Sequence, residues 1–247
     1  KFGYSACIST QVGCAMGCNF CASGKHGLTR NLTAGEMILE IITVQKALGA
    51  RISNVVLMGM GEPLDNYEST VKFLSLIHHP KGMNIGYRHI TLSTCGIVPK
   101  IYYLAQFQYP ITLAISLHAP NNALRDELIP INRKYPLEAL IEACQFYQDK
   151  TGRRLTFEYA LIHEKNDSLH HARQLAHLIT TLSAHVNLIP INPTGQNLSE
   201  PSESKINKFC KILEDYQIPC TIRRQLGADI DAACGQLRNR YHSLKLN

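Results

Sequence analysis

The sequence lacks the features of membrane-spanning, secreted or repeat proteins. No apolar run reaches the roughly 18 residues of a membrane-spanning helix, and residues 1–6 contain no apolar core of a signal peptide. No low-complexity tract or solenoid-type repeat is present. The chain also begins without methionine, so we expect it to start inside a longer protein. Its 247 residues, 45 % of them hydrophobic, predict one globular domain over 1–247.

The cysteine count argues against a disulfide framework. Nine cysteines is an odd number, and the chain is long enough to build a core without cross-links. Thiols in this number suit a reducing compartment, so we expect a cytoplasmic protein. The Asn-x-Ser/Thr triplets at Asn31, Asn166 and Asn197 are then not expected to carry glycans.

Three cysteines near the start follow the pattern Cys14-x3-Cys18-x2-Cys21. The short spacings bring three thiolates to one point, one fewer than the four that normally close an iron–sulfur cluster. A [4Fe–4S] cluster held this way keeps one iron open to an outside ligand. Zinc is the alternative: it normally takes four ligands, and His26 lies close enough in sequence to be the fourth.

The same motif, with Phe20 just before its last cysteine, resembles the cysteine motif of radical S-adenosylmethionine (SAM) enzymes. The resemblance implies that the open iron binds the amino and carboxylate groups of SAM.

Apolar β-rich runs alternate with amphipathic helical segments along the chain. The pattern predicts parallel strands covered on both faces and right-handed crossovers, giving an α/β fold. A partial (β/α)6 barrel of the radical-SAM type is our prediction, and an open doubly wound sheet is the alternative. The predicted strands are 54–59, 89–93, 111–117, 154–161, 185–191 and 220–223, and the predicted helices begin at Thr33 or span 67–78, 97–106, 136–150, 167–182 and 201–216.

Polar or small residues follow several of these strands. Because ligands bind at the carboxyl ends of parallel strands, we expect these residues to share a site. The glycines of the Gly-Met-Gly-Glu-Pro segment would let the backbone approach a ligand, and Glu62 would accept a hydrogen bond from an ammonium group. The strand-end residues are Gly61, Glu62, Ser93, Ser116, His118 and Asn192.

Two further cysteines stand apart from the cluster motif. Cys234 lies in a stretch of small residues, where it is either a buried small side chain or a reactive thiol, and Cys7 precedes the motif by seven residues. The other four cysteines are expected to be structural: Cys95, Cys144, Cys210 and Cys220.

The formal net charge of +6 is compatible with a polyanionic partner without requiring one. The candidate phosphate contacts are Lys25, Arg30, Arg153, Arg154, Arg223, Arg224, Arg238 and Arg240.

Several motifs together, from Cys7 to about Arg240, resemble the RlmN/Cfr family of radical-SAM RNA methyltransferases. They are the run 7–14, the cluster motif, Gly-Met-Gly-Glu-Pro at 59–63, Ser-Leu-His-Ala-Pro at 116–120, and the block around Cys234. The resemblance implies that Cys14, Cys18 and Cys21 hold a [4Fe–4S] cluster. It also implies a SAM site lined by Gly61, Glu62, Ser93, Ser116, Leu117, His118 and Asn192.

The family's mechanism can be carried onto the remaining cysteines. One SAM methylates Cys234, and a second is cleaved to a radical that removes a hydrogen from this methyl group. The carbon adds to adenine, and Cys7 then attacks the sulfur of Cys234, releasing the methylated base through a transient disulfide. Cys234 and Cys7 are therefore the implied catalytic residues.

Pro63 after Glu62 favours the RlmN branch, which methylates carbon 2 of adenosine in 23S rRNA and tRNA. A Cfr-like enzyme acting on carbon 8 of a 23S rRNA adenosine, or another radical-SAM enzyme, is the alternative. We expect a flavodoxin-type electron donor, no membrane partner and a monomer. The family's N-terminal accessory domain is expected to be absent from this chain.

Overall fold

The computed structural model describes residues 3–107, 109–191 and 198–223. Its main feature is a sheet of seven parallel strands in the order β1-β4-β5-β6-β7-β8-β9. Two short antiparallel strands, β2 and β3, form a separate hairpin. The strands are β1 Tyr4–Cys7, β2 Gln11–Gly13, β3 Leu28–Asn31, β4 Ile52–Leu57, β5 Ile90–Thr94, β6 Thr112–Ser116, β7 Leu155–Leu161, β8 Ala184–Pro190 and β9 Cys220–Ile222.

The sheet forms a half-barrel because its strands follow chain order from one edge to the other. Right-handed crossovers place successive helices on the same side of such a sheet, so the opposite side becomes the concave interior. An open doubly wound sheet would instead require a reversal of strand order. The predicted parallel partial barrel is confirmed, with seven parallel strands.

The helices lie close to their predicted positions, and α2 has the predicted bounds. The capping box that begins α1 is also present: the Glu36 amide donates to Thr33 Oγ1 (3.2 Å), and the Thr33 amide donates to Glu36 Oε2 (2.9 Å). The helices are α1 Ala34–Leu48, α2 Tyr67–His78, α3 Val98–Gln106, α4 Asn122–Leu128, α5 Leu137–Thr151, α6 Leu169–Ile179 and α7 Glu203–Asp215.

The sequence analysis gave no range for β1, and it missed the β2–β3 hairpin and α4. The hairpin strands are three and four residues long, and every residue of β3 is exposed, so they show no apolar alternation. Helix α4 has only seven residues, too few for a clear helical period. Both elements prove central to the candidate site.

The core is divided into a large and a small cluster. The large cluster fills the space between the sheet and the helices and includes the predicted structural residues Cys144 and Cys210. The small cluster collects residues that follow strand ends, together with the end of α4. Its buried members are Cys95, Ala119, Leu128, Ile129, Ile162 and Ile191. The small cluster therefore lies at the carboxyl edge of the sheet.

Among the described residues, no helix has both the length and the apolar character needed to cross a membrane.

Candidate active site

A cavity of about 190 Å³ opens at the carboxyl edge of the half-barrel. Most of the residues predicted to form the site line this one cavity, although they come from distant parts of the chain. The predicted residues in its wall are Cys14, Cys18, Cys21, Gly61, Glu62, Ser93, Ser116 and His118.

The cysteine motif forms a loop between β2 and β3, and the fold fixes it at several points. The Cys14 amide donates to the Gly27 carbonyl (3.2 Å), and the Asn19 amide donates to the Leu128 carbonyl (3.0 Å) at the end of α4. Met16, Cys18 and Phe20 pack against the small core cluster. These anchors turn the three thiols toward the cavity.

The environment of the thiols disfavours their ionised form, and the charge of Arg125 lowers the pKa of Cys18 only in part. Burial raises the pKa of Cys14 to about 11, and the backbone hydrogen bond from Met16 only partly offsets it. Burial likewise raises the pKa of Cys18, with further increases from the charges of Cys21 and Cys14. Positively charged metal ions bound by the three sulfurs would remove this penalty and stabilise the thiolates.

The donor set suits an iron–sulfur cluster better than a zinc ion. Thiolates are the usual ligands of such clusters, which attach each cysteine to a different iron. Within the described part of the chain, no group of three Cys, His, Asp or Glu side chains is close enough to hold one metal ion. Three cysteines in one cavity wall therefore match the ligand type of an iron–sulfur cluster.

The two glycines of the Gly-Met-Gly-Glu-Pro segment lie where the protein itself leaves no room for a side chain. A Cβ on Gly59 would lie 2.6 Å from the Ile8 carbonyl oxygen. Gly61 has φ +102°, and a Cβ there would lie 2.5 Å from Gln11 Cβ. These contacts give the glycines a role within the protein itself, and the expectation that they let the backbone approach a ligand stays a prediction. The two glycines allow the segment after β4 to pack against the segment that joins β1 to β2.

Glu62 is buried beside the cavity and fixes the loops around it. Its Oε1 accepts a hydrogen bond from the Leu64 amide (3.0 Å), and its Oε2 accepts one from the Cys95 amide (2.8 Å). Burial raises the pKa of this carboxyl, and the Cys95 and Leu64 amides act in the opposite direction. An ammonium group in the cavity would stabilise the ionised carboxylate.

Ser93 and Ser116 lie on neighbouring strands, with their hydroxyl oxygens 3.2 Å apart. They form a polar wall of the cavity. Leu117, which was expected to join them, is fully buried in the large core cluster and is not part of the cavity wall. Its side chain supports the site from behind.

His118 is a neutral imidazole in this structure. Its Nδ1 accepts a hydrogen bond from the Ala160 amide (2.8 Å), which leaves Nε2 as the protonated nitrogen. Burial lowers the pKa of His118 to about 3, with a smaller contribution from the charge of Arg125. Phe20 packs edge-on against the ring at 4.8 Å between centroids. A neutral ring with one N–H can donate a hydrogen bond to a ligand.

Further polar residues line the cavity without having been predicted as site residues: Ser23, Thr94, Cys95 and Glu158. Arg223, predicted as a phosphate contact, lines it too. Glu158 accepts a hydrogen bond from Asn187 Nδ2 (2.8 Å), and burial raises the pKa of its carboxyl. The available signal was a charged residue inside the mostly apolar strand 155–161. Burial also raises the pKa of Cys95, so its thiol is protonated.

Not all predicted residues can be placed. Asn192 and Cys234 lie outside the described residues, as do Arg224, Arg238 and Arg240. Cys7 is the exposed last residue of β1 and thus lies at the carboxyl edge of the sheet. Of the candidate phosphate contacts, Arg30 pairs with Glu36 at 2.7 Å.

Comparison with known proteins gives the same class as the fold and the cysteine loop. Residues 8–176 match the radical SAM superfamily. The crystal structure of a radical SAM methyltransferase from Sphaerobacter thermophilus superposes with a TM-score of 0.92 and 51 % identity. The alignment covers 95 % of this chain and 70 % of that one.

Curated relatives identify a narrower family within this superfamily. A probable dual-specificity RNA methyltransferase RlmN from Desulforamulus reducens is 56 % identical over 98 % of this chain and 69 % of its own length. A protein of the same name from Clostridium botulinum strain Hall is 57 % identical over 98 % of this chain and 71 % of its own. The chain belongs to the radical SAM superfamily and, within it, to the RlmN family, as its motifs predicted.

Proposed function

We propose that this protein transfers a methyl group from SAM to carbon 2 of adenosine in 23S rRNA and in tRNA. The observation that carries the proposal is the cavity at the carboxyl edge, where three cysteines meet Glu62, Ser93, Ser116 and His118. The relatives named as RNA methyltransferases support RNA as the substrate class.

In this proposal Cys14, Cys18 and Cys21 hold a [4Fe–4S] cluster and leave one iron open to SAM. When bound, the cluster supplies the electron for reductive cleavage of SAM. The chain's own residues position SAM beside it. Glu62 balances the ammonium group, and Ser93 and Ser116 offer hydroxyls to polar groups of the ligand. Neutral His118 offers Nε2–H, Leu117 packs behind these groups, and Asn192 completes the set.

Cys234 and Cys7 are the proposed catalytic thiols. The thiolate of Cys234 would take a methyl group from SAM by displacement, which releases S-adenosylhomocysteine. One hydrogen atom of this methyl group would pass to the radical formed from a second SAM, and the carbon would bond to the adenine ring. The ring hydrogen would leave as a proton, and one electron would return to the metal centre. Cys7 would then attack the sulfur of Cys234 and form a disulfide, while the carbon released from sulfur takes up a proton. External thiols must reduce that disulfide before the next turnover. The position of Cys7 at the carboxyl end of β1 supports this role.

We further propose that residues 1–247 act as a single catalytic domain and as a monomer in the cytoplasm. A reducing protein of the flavodoxin type would deliver the electron. The continuous sheet through β1 and β4–β9 supports one domain, and the net charge of +6 is compatible with an RNA partner.

The decisive assay is nucleoside mass spectrometry of unmethylated 23S rRNA and tRNA. Each RNA is incubated anaerobically with the cluster-reconstituted chain, a reductant and SAM. We expect 2-methyladenosine in both. Cys234→Ala should abolish the product while retaining the cluster absorbance. Cys144→Ala, which changes a buried cysteine on α5, should remain active.

The other outcomes have distinct meanings. Formation of 8-methyladenosine would assign the chain to carbon 8 instead. If a cluster-loaded chain yields no methylated adenosine while the longer Desulforamulus relative modifies the same RNA, the proposal that residues 1–247 act alone is contradicted. If neither protein modifies the RNA, the substrate assignment is contradicted. Failure to take up any cluster would contradict the cofactor assignment.

A further inference from the structure

Arg125, on α4, is the largest fully buried side chain described in the molecule. Its guanidinium donates to the carbonyls of Cys95 (2.6 Å), Leu117 (3.2 Å) and Ser116 (3.3 Å). It also donates to Asn132 Oδ1 (2.9 Å). Every one of these partners is formally neutral.

These hydrogen bonds join α4 to the strand ends that form the cavity wall. Ser116 is the last residue of β6, and Cys95 directly follows β5. The Cys95 backbone is held on both sides, because its amide donates to Glu62 while its carbonyl accepts from Arg125. Arg125 therefore determines where these two strand ends lie relative to α4.

The carboxyl end of α4 holds the cysteine loop. The Asn19 amide donates to the Leu128 carbonyl, and Asn19 Nδ2 donates to the Glu127 carbonyl. Phe20 packs on the same small core cluster as Leu128. Helix α4 is thus a direct connection between the metal-binding loop and the wall predicted to bind SAM.

The charge of Arg125 also requires an explanation. A buried charge without an ion-pair partner is costly. Among the ion pairs of the described residues, none includes Arg125. Burial lowers the pKa of Arg125, and the charges of Cys95 and of the cluster-motif residue Cys18 act in the opposite direction. Cys18 packs against the small core cluster that contains Cys95, whose carbonyl accepts from Arg125. An anionic centre on the three cysteines would supply the missing counter-charge.

We propose that Arg125 is a positioning residue for the iron–sulfur centre and that its buried positive charge makes this centre easier to reduce. The inference rests on the proposed function. One electron from a low-potential donor makes the centre more negative by one charge. A nearby cation in a low-dielectric environment stabilises that reduced state more than the oxidised one.

The test is a redox titration of the reconstituted chain with dithionite as the one-electron donor, followed by electron paramagnetic resonance. Arg125→Met removes the charge and retains much of the volume. We expect the ratio of reduced to oxidised centre at a fixed potential to fall about tenfold, equivalent to about 59 mV for one electron. Arg125→Lys keeps the charge and should change the ratio less than about threefold, or about 28 mV.

Lys165→Met is the matched control because it also removes one positive charge beside α4. Lys165 pairs with Glu127 at the surface (2.7 Å), where solvent screens both charges. Its midpoint potential should equal that of the unchanged chain.

A second variant leaves Arg125 in place. Asn132 Nδ2 donates to Asp126 Oδ1 (2.6 Å), so the double change Asp126→Asn and Asn132→Asp exchanges amide and carboxylate without altering net charge. Because Arg125 donates a hydrogen bond to the side chain at position 132, the new carboxylate there would contact the Arg125 guanidinium. We expect the midpoint potential to fall here too, and this variant decides the question if Arg125→Met does not fold.

Unchanged potentials in cluster-loaded Arg125→Met or in the exchange variant would overturn the inference and leave the proposed function intact. A shift in Arg125→Lys as large as that in Arg125→Met would show that charge is not the cause. A chain that binds no cluster before any substitution would overturn both proposals.

Discussion

At the residue scale, His118 illustrates how the backbone prepares a side chain for the site. The residue has φ +55°, a left-handed conformation that is uncommon for residues other than glycine. Its carbonyl accepts a hydrogen bond from Asn166 Nδ2 (2.8 Å), and its ring accepts one from the Ala160 amide. Both contacts keep a neutral imidazole in the cavity wall.

This arrangement predicts a loss of stability in acid. The pKa of His118 is about 3 in the folded protein, against an ordinary value of 6.5. Below pH 6.5 the unfolded chain therefore binds a proton that the folded chain does not. The free energy of unfolding should fall with decreasing pH, by up to about 1.4 kcal/mol per pH unit from this residue alone.

Urea unfolding of the cluster-free protein between pH 7.5 and 5 measures this effect. Asparagine tolerates the left-handed conformation and does not titrate, so His118→Asn should lose less stability over this range than the unchanged chain. The raised pKa of Glu62 acts in the opposite direction in both proteins and cancels in the comparison. His79→Asn, at an exposed histidine, controls for loss of an imidazole. Parallel pH profiles for the unchanged chain and His118→Asn would contradict the prediction.

Individual site residues were predictable where a motif or a strand end marked them. Glu62, Ser93, Ser116 and His118 belong to that group, and the structure brings them together. Cys95 and Glu158 were not predicted because their roles depend on burial and on partners far away in sequence. The position of Leu117 in the core could not be foreseen, since the pattern of the predicted strand 111–117 does not show which side chains border the cavity.

At the element scale, Asn166 holds the ends of β6 and β7 together. Its fully buried side chain donates to the carbonyls of His118 (2.8 Å) and Ala160 (2.6 Å) and accepts from the Ile162 amide (2.8 Å). The asparagine of the Asn-x-Ser triplet at 166–168 is therefore buried inside the fold. This agrees with the expectation that it does not mark a glycan.

Asn166→Ala would leave three buried backbone groups without these partners. Each such group costs about 1–3 kcal/mol, so we expect the free energy of unfolding to fall by about 3 kcal/mol or more. Urea unfolding provides the measurement. Gln145→Ala, which removes an exposed contact to Asp149, should change stability by less than about 0.5 kcal/mol. A loss below about 1 kcal/mol for Asn166→Ala would show that water or other groups replace its hydrogen bonds.

The long elements of the fold were predictable because apolar periodicity marks them. The β2–β3 hairpin and α4 were not, and they carry much of the site. Hydrogen bonds from side chains hold the hairpin: Gln11 Nε2 donates to Asp65 Oδ2 (2.8 Å), and Asn66 Nδ2 donates to the carbonyls of Thr10 and Leu32. Such contacts over long sequence separations leave no periodic signal in the sequence.

At the scale of the whole molecule, the half-barrel keeps the residues that stabilise the fold apart from most residues of the candidate site. The helices and the large core cluster cover one side of the sheet, while the cysteine loop, the glycine segment and the cavity lie at its carboxyl edge. Strands β5, β6 and β7 each have a neighbour on both sides, whereas β1 and β9 form the edges. Most residues of these two edge strands are exposed.

This organisation predicts a pattern of amide hydrogen exchange. Amides in β5–β7 should exchange most slowly because opening them requires disruption of the core, and amides in β1 and β9 should exchange faster. Adding SAM to the cluster-loaded protein should slow exchange in segments 59–62, 93–96 and 116–119 and leave α5 unchanged. Mass spectrometry of peptides covering these segments measures both effects. Protection of α5, with no change at the carboxyl edge, would place the SAM site elsewhere, since ligand contacts slow exchange where they restrict local opening.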